Sequence, residues 1–231
     1  MATVDLSFPL TGKTVPLDHG YRLYAAVTTR LPDLHGARWL GIHPISGQLV
    51  DDQIHLIRSS NLTLRLPSER ITEVLSLAGA RLDVGASAIS LGAPSIRALV
   101  PAAALDARLV LLKLTQPPTR ENVGLQRNVL DNDVIADRYR AELQRQLQAM
   151  EVSAAIELCG RRTITIKGKR LIGYSVRLTG LDADASLRVQ ERGLGGRRVL
   201  GCGLFRPTRW ARRPKHSRDD TPPAQAEETR L

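Results

Sequence analysis

Apolar positions along this chain switch repeatedly between a spacing of two and a spacing of three to four, the signatures of strand and helix. Val4, Leu6 and Phe8 alternate with polar neighbours and predict a short strand ending at Pro9. Leu17, Tyr21, Tyr24, Thr28 and Leu31 recur at helical spacing; Asp18 is placed to cap or favour the first turn, and Pro32 closes the helix. Residues 39–45 read as a strand entering a turn at Ser46-Gly47. Residues 54–66 read as another, with Leu62, Leu64 and Leu66 on one side. Pro67-Ser68-Glu69-Arg70 opens a predicted helix with the stripe Ile71, Val74, Leu75 and Ala78, ended by Gly79. Residues 88–100 hold short strand material.

The order then repeats. Leu109-Val110-Leu111-Leu112-Lys113-Leu114 predicts a strand, followed by a polar loop with Pro117 and Pro118. Ile135, Tyr139, Leu143 and Leu147 make the stripe of a helix over 131–150. Ile156 and Leu158 lie on a strand. Thr163-Ile164-Thr165-Ile166, Gly168-Lys169 and Leu171-Ile172-Gly173-Tyr174-Ser175-Val176 read as a hairpin. A short helix over 182–190 and a last strand over 199–205 complete the set. The order βαββαβ thus occurs twice, which predicts an α+β protein of two tandem ferredoxin-like domains at 1–104 and 105–207. The halves share element order, not visible sequence. From 208 to 231 Pro, Asp, Glu and Arg dominate with little to bury, so a disordered tail is expected.

Charge sharpens the picture. The 231 residues carry a net +10, and nearly all of it lies in one stretch. Residues 1–159 hold 16 basic and 16 acidic side chains; residues 160–213 hold 14 and 3. A neutral body with one concentrated basic segment is the footprint of a polyanion site rather than of a surface kept basic for solubility. An anionic membrane fits less well, because the segment reads as strands and glycine loops, not an amphipathic helix. No run of about 18 apolar residues occurs and the N-terminus lacks a basic, then apolar, signal pattern, so a cytoplasmic protein without membrane attachment is expected. Cys159 and Cys202 cannot form a disulfide framework or alone fill a zinc site, and are expected to be packed and unreactive.

The most informative segment is Gly193-Leu194-Gly195-Gly196-Arg197-Arg198-Val199-Leu200-Gly201-Cys202-Gly203-Leu204-Phe205. It is not a P-loop, since no Gly-Lys-Ser/Thr follows. It is not a dinucleotide fingerprint, since the glycines follow a helix and enter a strand. Two readings stay open: backbone amides grouped to hold phosphate, or a tight turn whose glycines let another element pack close.

This segment, placed after two ferredoxin-like halves, resembles the glycine-rich loop of the CRISPR repeat-processing endoribonucleases of the RAMP superfamily, the Cas-six family. Leu34-His35-Gly36, just after the first helix, resembles the place where many members carry a catalytic histidine. Gly41-Ile42-His43-Pro44-Ile45 and Ile166-Lys167-Gly168-Lys169-Arg170-Leu171-Ile172-Gly173 resemble the MYXAN subtype. The resemblance covers about residues 1–207. It implies cleavage of CRISPR precursor RNA within the repeat, without a metal or other cofactor, by attack of a ribose 2′-hydroxyl that leaves a cyclic phosphate and a 5′-hydroxyl. The alternative it leaves open is a non-catalytic RAMP subunit that binds crRNA in a CRISPR effector complex, with other effector subunits as further candidate partners.

The resemblance also assigns roles. Such chemistry needs a base, an acid and positive charge near the phosphate, and histidine suits proton transfer near neutrality. His35 is the first candidate. His43 is the second, against a half-buried structural role. Tyr21 is favoured over Tyr24 as a tyrosine beside the histidine. His19 is expected near the surface at the helix start, His55 toward solvent, and His216 in the tail. Arg38 is the only cation between His35 and His43, where many relatives place a lysine. Arg38, Lys167, Lys169, Arg170, Arg177, Arg197 and Arg198, with Gly195 and Gly196, are the expected RNA-binding set. Only eight aromatic residues occur, which argues against a sheet that stacks bases.

Overall fold

The computed structural model describes residues 2–114 and 127–208. The Pro117-Pro118 loop, the tail after Thr208 and His216 lie outside them. The chain opens with β1 (Thr3–Gly12) and β2 (Thr14–Pro16), then α1 (Gly20–Arg30). A 3₁₀ turn at Pro32–Leu34 follows, then β3 (Gly41–Ile42), β4 (Gln48–Val50), β5 (Gln53–His55) and β6 (Asn61–Pro67). After two further 3₁₀ turns come β7 (Arg81–Val84), β8 (Ser87–Leu91) and β9 (Ser95–Ala98). The rest is β10 (Ala104–Val110), α2 (Arg127–Gln148), β11 (Ala155–Ile166), β12 (Lys169–Thr179), α3 (Ala183–Arg192) and β13 (Arg206–Pro207).

The later half runs β10-α2-β11-β12-α3-β13 and its sheet has the order β11-β12-β10-β13. With strands numbered by position within the unit this is 2-3-1-4, the split-βαβ arrangement the element order implies. The earlier half uses β1, β3, β6 and β9 in the same way. Its sheet reads β3-β6-β1, with β9 on the other side of β1, and the far end of β1 (Leu10–Gly12) pairs instead with the β7–β8 hairpin. The strand order of the tandem ferredoxin-like reading therefore holds in both halves.

Several element expectations are corrected. The helix expected at 67–79 is a pair of 3₁₀ turns, Ser68–Glu73 and Leu75–Leu77, that bury only Val74 and Leu77. The strand expected over 39–45 is two residues long, and that over 54–66 is split into β5 and β6. The strand expected at 109–114 lies earlier, as β10. Residues 199–205 form no strand: Arg197, Gly201 and Gly203 all take left-handed backbone, which breaks the pleat.

Each half has its own core. Leu6, Phe8, Leu62, Leu64 and Leu66 pack with Leu23 and Val27 of α1. Leu143 and Leu147 of α2 pack with Leu105, Val176, Leu178 and Val189. A third cluster joins the halves: Leu109, Leu111, Ile164, Leu200 and Cys202, with Tyr21 and Tyr24 packed against it.

The joint is locked by one buried cation. Arg65 and Asp5 sit opposite each other on paired strands, on the polar face of the first sheet. The Arg65 guanidinium, 1% exposed, donates to both Asp5 carboxylate oxygens at 2.8 Å. It also donates to the carbonyls of Gln190 at 2.9 Å and Phe205 at 2.6 Å, in the other half. The glycine-rich segment fits the same seam. Leu204 packs on Gly41 and Gly201 on Pro44, and a side chain at Gly203 would collide with the Leu194 carbonyl oxygen. These glycines serve close packing between elements.

A candidate RNA interface

Helix α1 carries the candidate site. Its buried face holds Leu23 and Val27; Tyr21 and Tyr24 lie half-buried, facing the seam between the halves. Asp18 does not cap α1; its carboxylate accepts from the Thr165 amide at 2.7 Å and ties the helix start to β11. After Leu31 the chain turns sharply and doubles back. Leu34 is buried as its anchor, and His35 is left exposed on the turn. The His35 ring stacks on Tyr24, centroids 6.0 Å apart and planes 25° from parallel. The Gly36 amide donates to the Tyr24 hydroxyl at 3.0 Å. The tyrosine beside His35 is thus Tyr24. Tyr21, one turn earlier, forms part of the wall of an adjacent groove.

That groove is a cavity of about 1230 Å³ between the start of α1 and the β11–β12 hairpin. Its lining includes Arg22, Arg108, Arg161, Arg162, Lys167 and Arg170, against only Asp18 and Asp52. The hairpin is closed by a two-residue turn, Lys167-Gly168, with both residues in left-handed backbone. Lys169 is exposed beside the turn. Arg108 is forced to sit close to Arg162, and burial followed by that like charge lowers its pKa. A concave surface crowded with like charges is a site prepared for a polyanion. Arg22, Arg108, Arg161 and Arg162 are members the sequence reading did not single out. Arg161 and Arg162 could have been found, since they lie within the basic stretch; Arg22 and Arg108 come from the electrically neutral part of the chain.

Other expected residues are placed differently. Arg177 makes a two-pronged pair with Asp106, at 2.7 and 3.2 Å, so its charge is already met inside the protein. Gly195 and Gly196 are exposed, but their amides donate to the Gln146 side chain (2.8 Å) and the Leu111 carbonyl (3.1 Å). The amides of Gly193, Leu194, Gly201 and Gly203 are likewise spent on carbonyls. Of the two readings of this segment, close packing describes it, and its glycine amides do not form an anion nest. Arg197 is exposed; Arg198 is half-buried, with Nε unpartnered and its pKa lowered by burial and by Arg65. Arg38 is exposed just past Gly36.

The histidines sort by burial. His19, expected near the surface, is fully buried. Its Nε2 accepts from the Ile45 amide and its Nδ1 donates to the Pro16 carbonyl, both at 2.9 Å. His43, expected half-buried, is 2% exposed, with Nε2 3.7 Å from an Asp5 oxygen and no hydrogen-bond partner. Burial pushes its pKa down to about 3 despite Asp5. His55 is exposed, as expected, in β5. Cys202 is buried, its thiol pushed up to about 12 by that burial. Cys159, expected to be packed, is exposed. Among the described residues no three His, Cys, Asp or Glu side chains group as metal ligands, and no helix is long and apolar enough to cross a membrane.

The family described as Cas6 Crispr matches residues 4–210. The CRISPR-associated endonuclease Cas6 of Myxococcus xanthus (strain DK1622) is 38% identical over 207 residues, spanning 90% of this chain and 82% of that protein. This chain belongs to the Cas6 family. A solved structure described as CRISPR associated protein Cas6 aligns with a TM-score of 0.62 at 16% identity, over 90% of this chain and 99% of that one. A RAMP protein described as binding different RNA substrates aligns at 0.60 and 11% identity, over 89% of this chain and 99% of that one. A structure from work on a Cas6-related gene of Pyrococcus furiosus aligns at 0.58 and 13%, over 90% and 99%. At these identities the structural matches speak for the Cas6 fold alone.

Proposed function

We propose that the protein is an endoribonuclease that cuts CRISPR precursor RNA within the repeat, with His35 as a proton-transfer group and the arginine-rich groove as the RNA seat. The ribose 2′-oxygen attacks the adjacent phosphorus while its proton passes to a base. The phosphorus–O5′ bond breaks, and the departing oxygen takes a proton from an acid. The products are a cyclic phosphate and a 5′-hydroxyl, and no metal or cofactor enters the balance.

One observation carries this reading. His35 is an exposed histidine fixed against a second ring on the helix that walls the basic groove. Tyr21 lies in that wall and Tyr24 is its neighbour three residues on, on the same helical face. RNA whose phosphates rest on Arg161, Arg162, Lys167 and Arg170 runs along α1 toward His35. His19 and His43 are withdrawn from solvent, which favours His35 over either as the group that meets RNA. Arg38, Lys169 and Arg197, all exposed, extend the positive surface.

The test is His35→Ala assayed on the protein's own repeat RNA. Cleavage should fall by about 10²–10⁴-fold, the usual worth of a positioned acid or base. Binding should stay within a few-fold. Cleavage at the wild-type rate removes His35 from the chemistry. Wild-type protein that binds tightly and never cuts is a crRNA-holding subunit instead.

A further inference from the structure

We propose that the trough between α1 and the β7–β8 hairpin is a second seat for the RNA backbone, one that takes an unpaired stretch of the precursor away from the cut; this rests on that RNA being the substrate. The trough is a cavity of about 580 Å³. One wall is α1, where Arg22, Ala26 and Arg30 recur every four residues along one side. The other wall is β7 and its turn, with Arg81, Asp83 and Gly85. Arg22, Arg30, Arg81 and Asp83 are all exposed. Among the described residues the three guanidinium groups share the trough with one carboxylate, Asp83, and none of them is held in an ion pair. A concave surface with this excess of positive charge suits a chain of phosphates.

The trough opens onto the main groove. Tyr21 and Arg22 line both cavities. The hairpin turn holds Arg22 at that junction: Gly85 has left-handed backbone (φ +69°), and a side chain there would meet the Arg22 Cδ at 3.0 Å. Between the arginines the floor is Ala25, Ala26 and Thr29, small side chains that let a phosphodiester chain come close to the helix. Arg22 and Arg30 lie about 12 Å apart along the helix axis, room for more than one phosphate.

Tyr24, which stacks on His35, lies on nearly the opposite side of α1 from Arg22. The trough therefore extends the groove away from His35. RNA that fills both cavities bends around the first turns of a helix about 10 Å across, too tight a curve for a duplex, so the occupant is unpaired. Continuity through Tyr21 and Arg22 points to the RNA already in the groove rather than to a separate ligand.

The experiment is equilibrium binding across a range of salt, with single-turnover cleavage, for the full chain on its repeat RNA with flanking sequence on both sides. The proteins are wild type, the double variant Arg30→Ala with Arg81→Ala, and Asp83→Asn. The double variant is expected to bind about tenfold more weakly at low salt, with the dependence of log K on log salt flattened by about 1.4. Its cleavage rate at saturating protein and its melting temperature should match wild type. Asp83→Asn, which removes the opposing charge, should tighten binding about twofold. When the RNA is shortened from each end in turn, the difference between wild type and the double variant should vanish for one end and persist for the other. An unchanged salt slope would overturn the proposal. So would a difference that survives on the shortest RNA still cut, because the arginines would then act through the field of the whole protein and not on a bound segment. Either result leaves the function standing, since wild-type cleavage of the same RNA is read beside it. Wild-type protein that neither binds nor cuts the repeat removes the function and the seat together.

Discussion

His19 and His43 are held neutral in the folded protein, and acid should therefore loosen it. Burial lowers both pKa values, His43 to about 3 from an ordinary 6.5. A base whose folded pKa is depressed stabilises the fold fully above its unfolded value and loses that contribution as pH falls toward the folded one. Stability should thus decline from about pH 6.5 downward, by up to about 1.4 kcal/mol per pH unit for each histidine. Asp5 adds to the loss at lower pH: burial opposes its ionisation, yet Arg65 holds its carboxyl well below the usual range. Urea unfolding at several pH values should show this slope, and His43→Leu should flatten it. Arg65→Met should cost about 3–5 kcal/mol, since it strands a largely buried carboxylate and releases two carbonyls of the other half. A loss under about 1 kcal/mol in the same assay would mean that the joint does not depend on this cation. Little of this was legible in sequence. Thr63 and Arg65 alternate with leucines as a solvent-facing row would; the row is buried because the second half covers it. His19 has the sequence setting of a surface residue at a helix start, and only the fold brings the Ile45 amide to its Nε2.

At the scale of elements, the β11–β12 hairpin was readable because its signal is local: alternation on both arms around Lys167-Gly168. Its partnership with α1 was not, since the Asp18–Thr165 contact spans 147 positions. The split behaviour of its cations gives a prediction. Replacing Lys167 and Arg170 together by Ala should weaken RNA binding and flatten the dependence of log K on log salt by about 1.4, if each meets one phosphate of unpaired RNA. Arg177→Ala should leave that slope unchanged, because Asp106 already neutralises it. Equal slopes in all three proteins would move the interface off the hairpin. The misread elements share one cause. Residues 67–79 carry a helical stripe and residues 199–205 an extended look, but each is a short connector shaped by what it packs against. In the second, packing against Pro44 and Leu194 selects glycine with left-handed backbone.

The whole molecule is two ferredoxin-like halves whose seam holds the basic groove, the glycine-rich segment and α1. Element order conveyed the tandem architecture, and the resemblance around His35 supplied the site proposed here. Neither conveyed the seam, because it is built from side chains far apart in the chain: Tyr21, Tyr24, Arg108, Ile164 and Leu200. The measurement that bears most directly on the central claim is cleavage of the repeat RNA in EDTA, beside the same RNA with a single 2′-deoxy nucleotide just upstream of the cut. The account predicts cutting of the first and none of the second. Equal cutting of both, or cutting only when a divalent metal is restored, would contradict it.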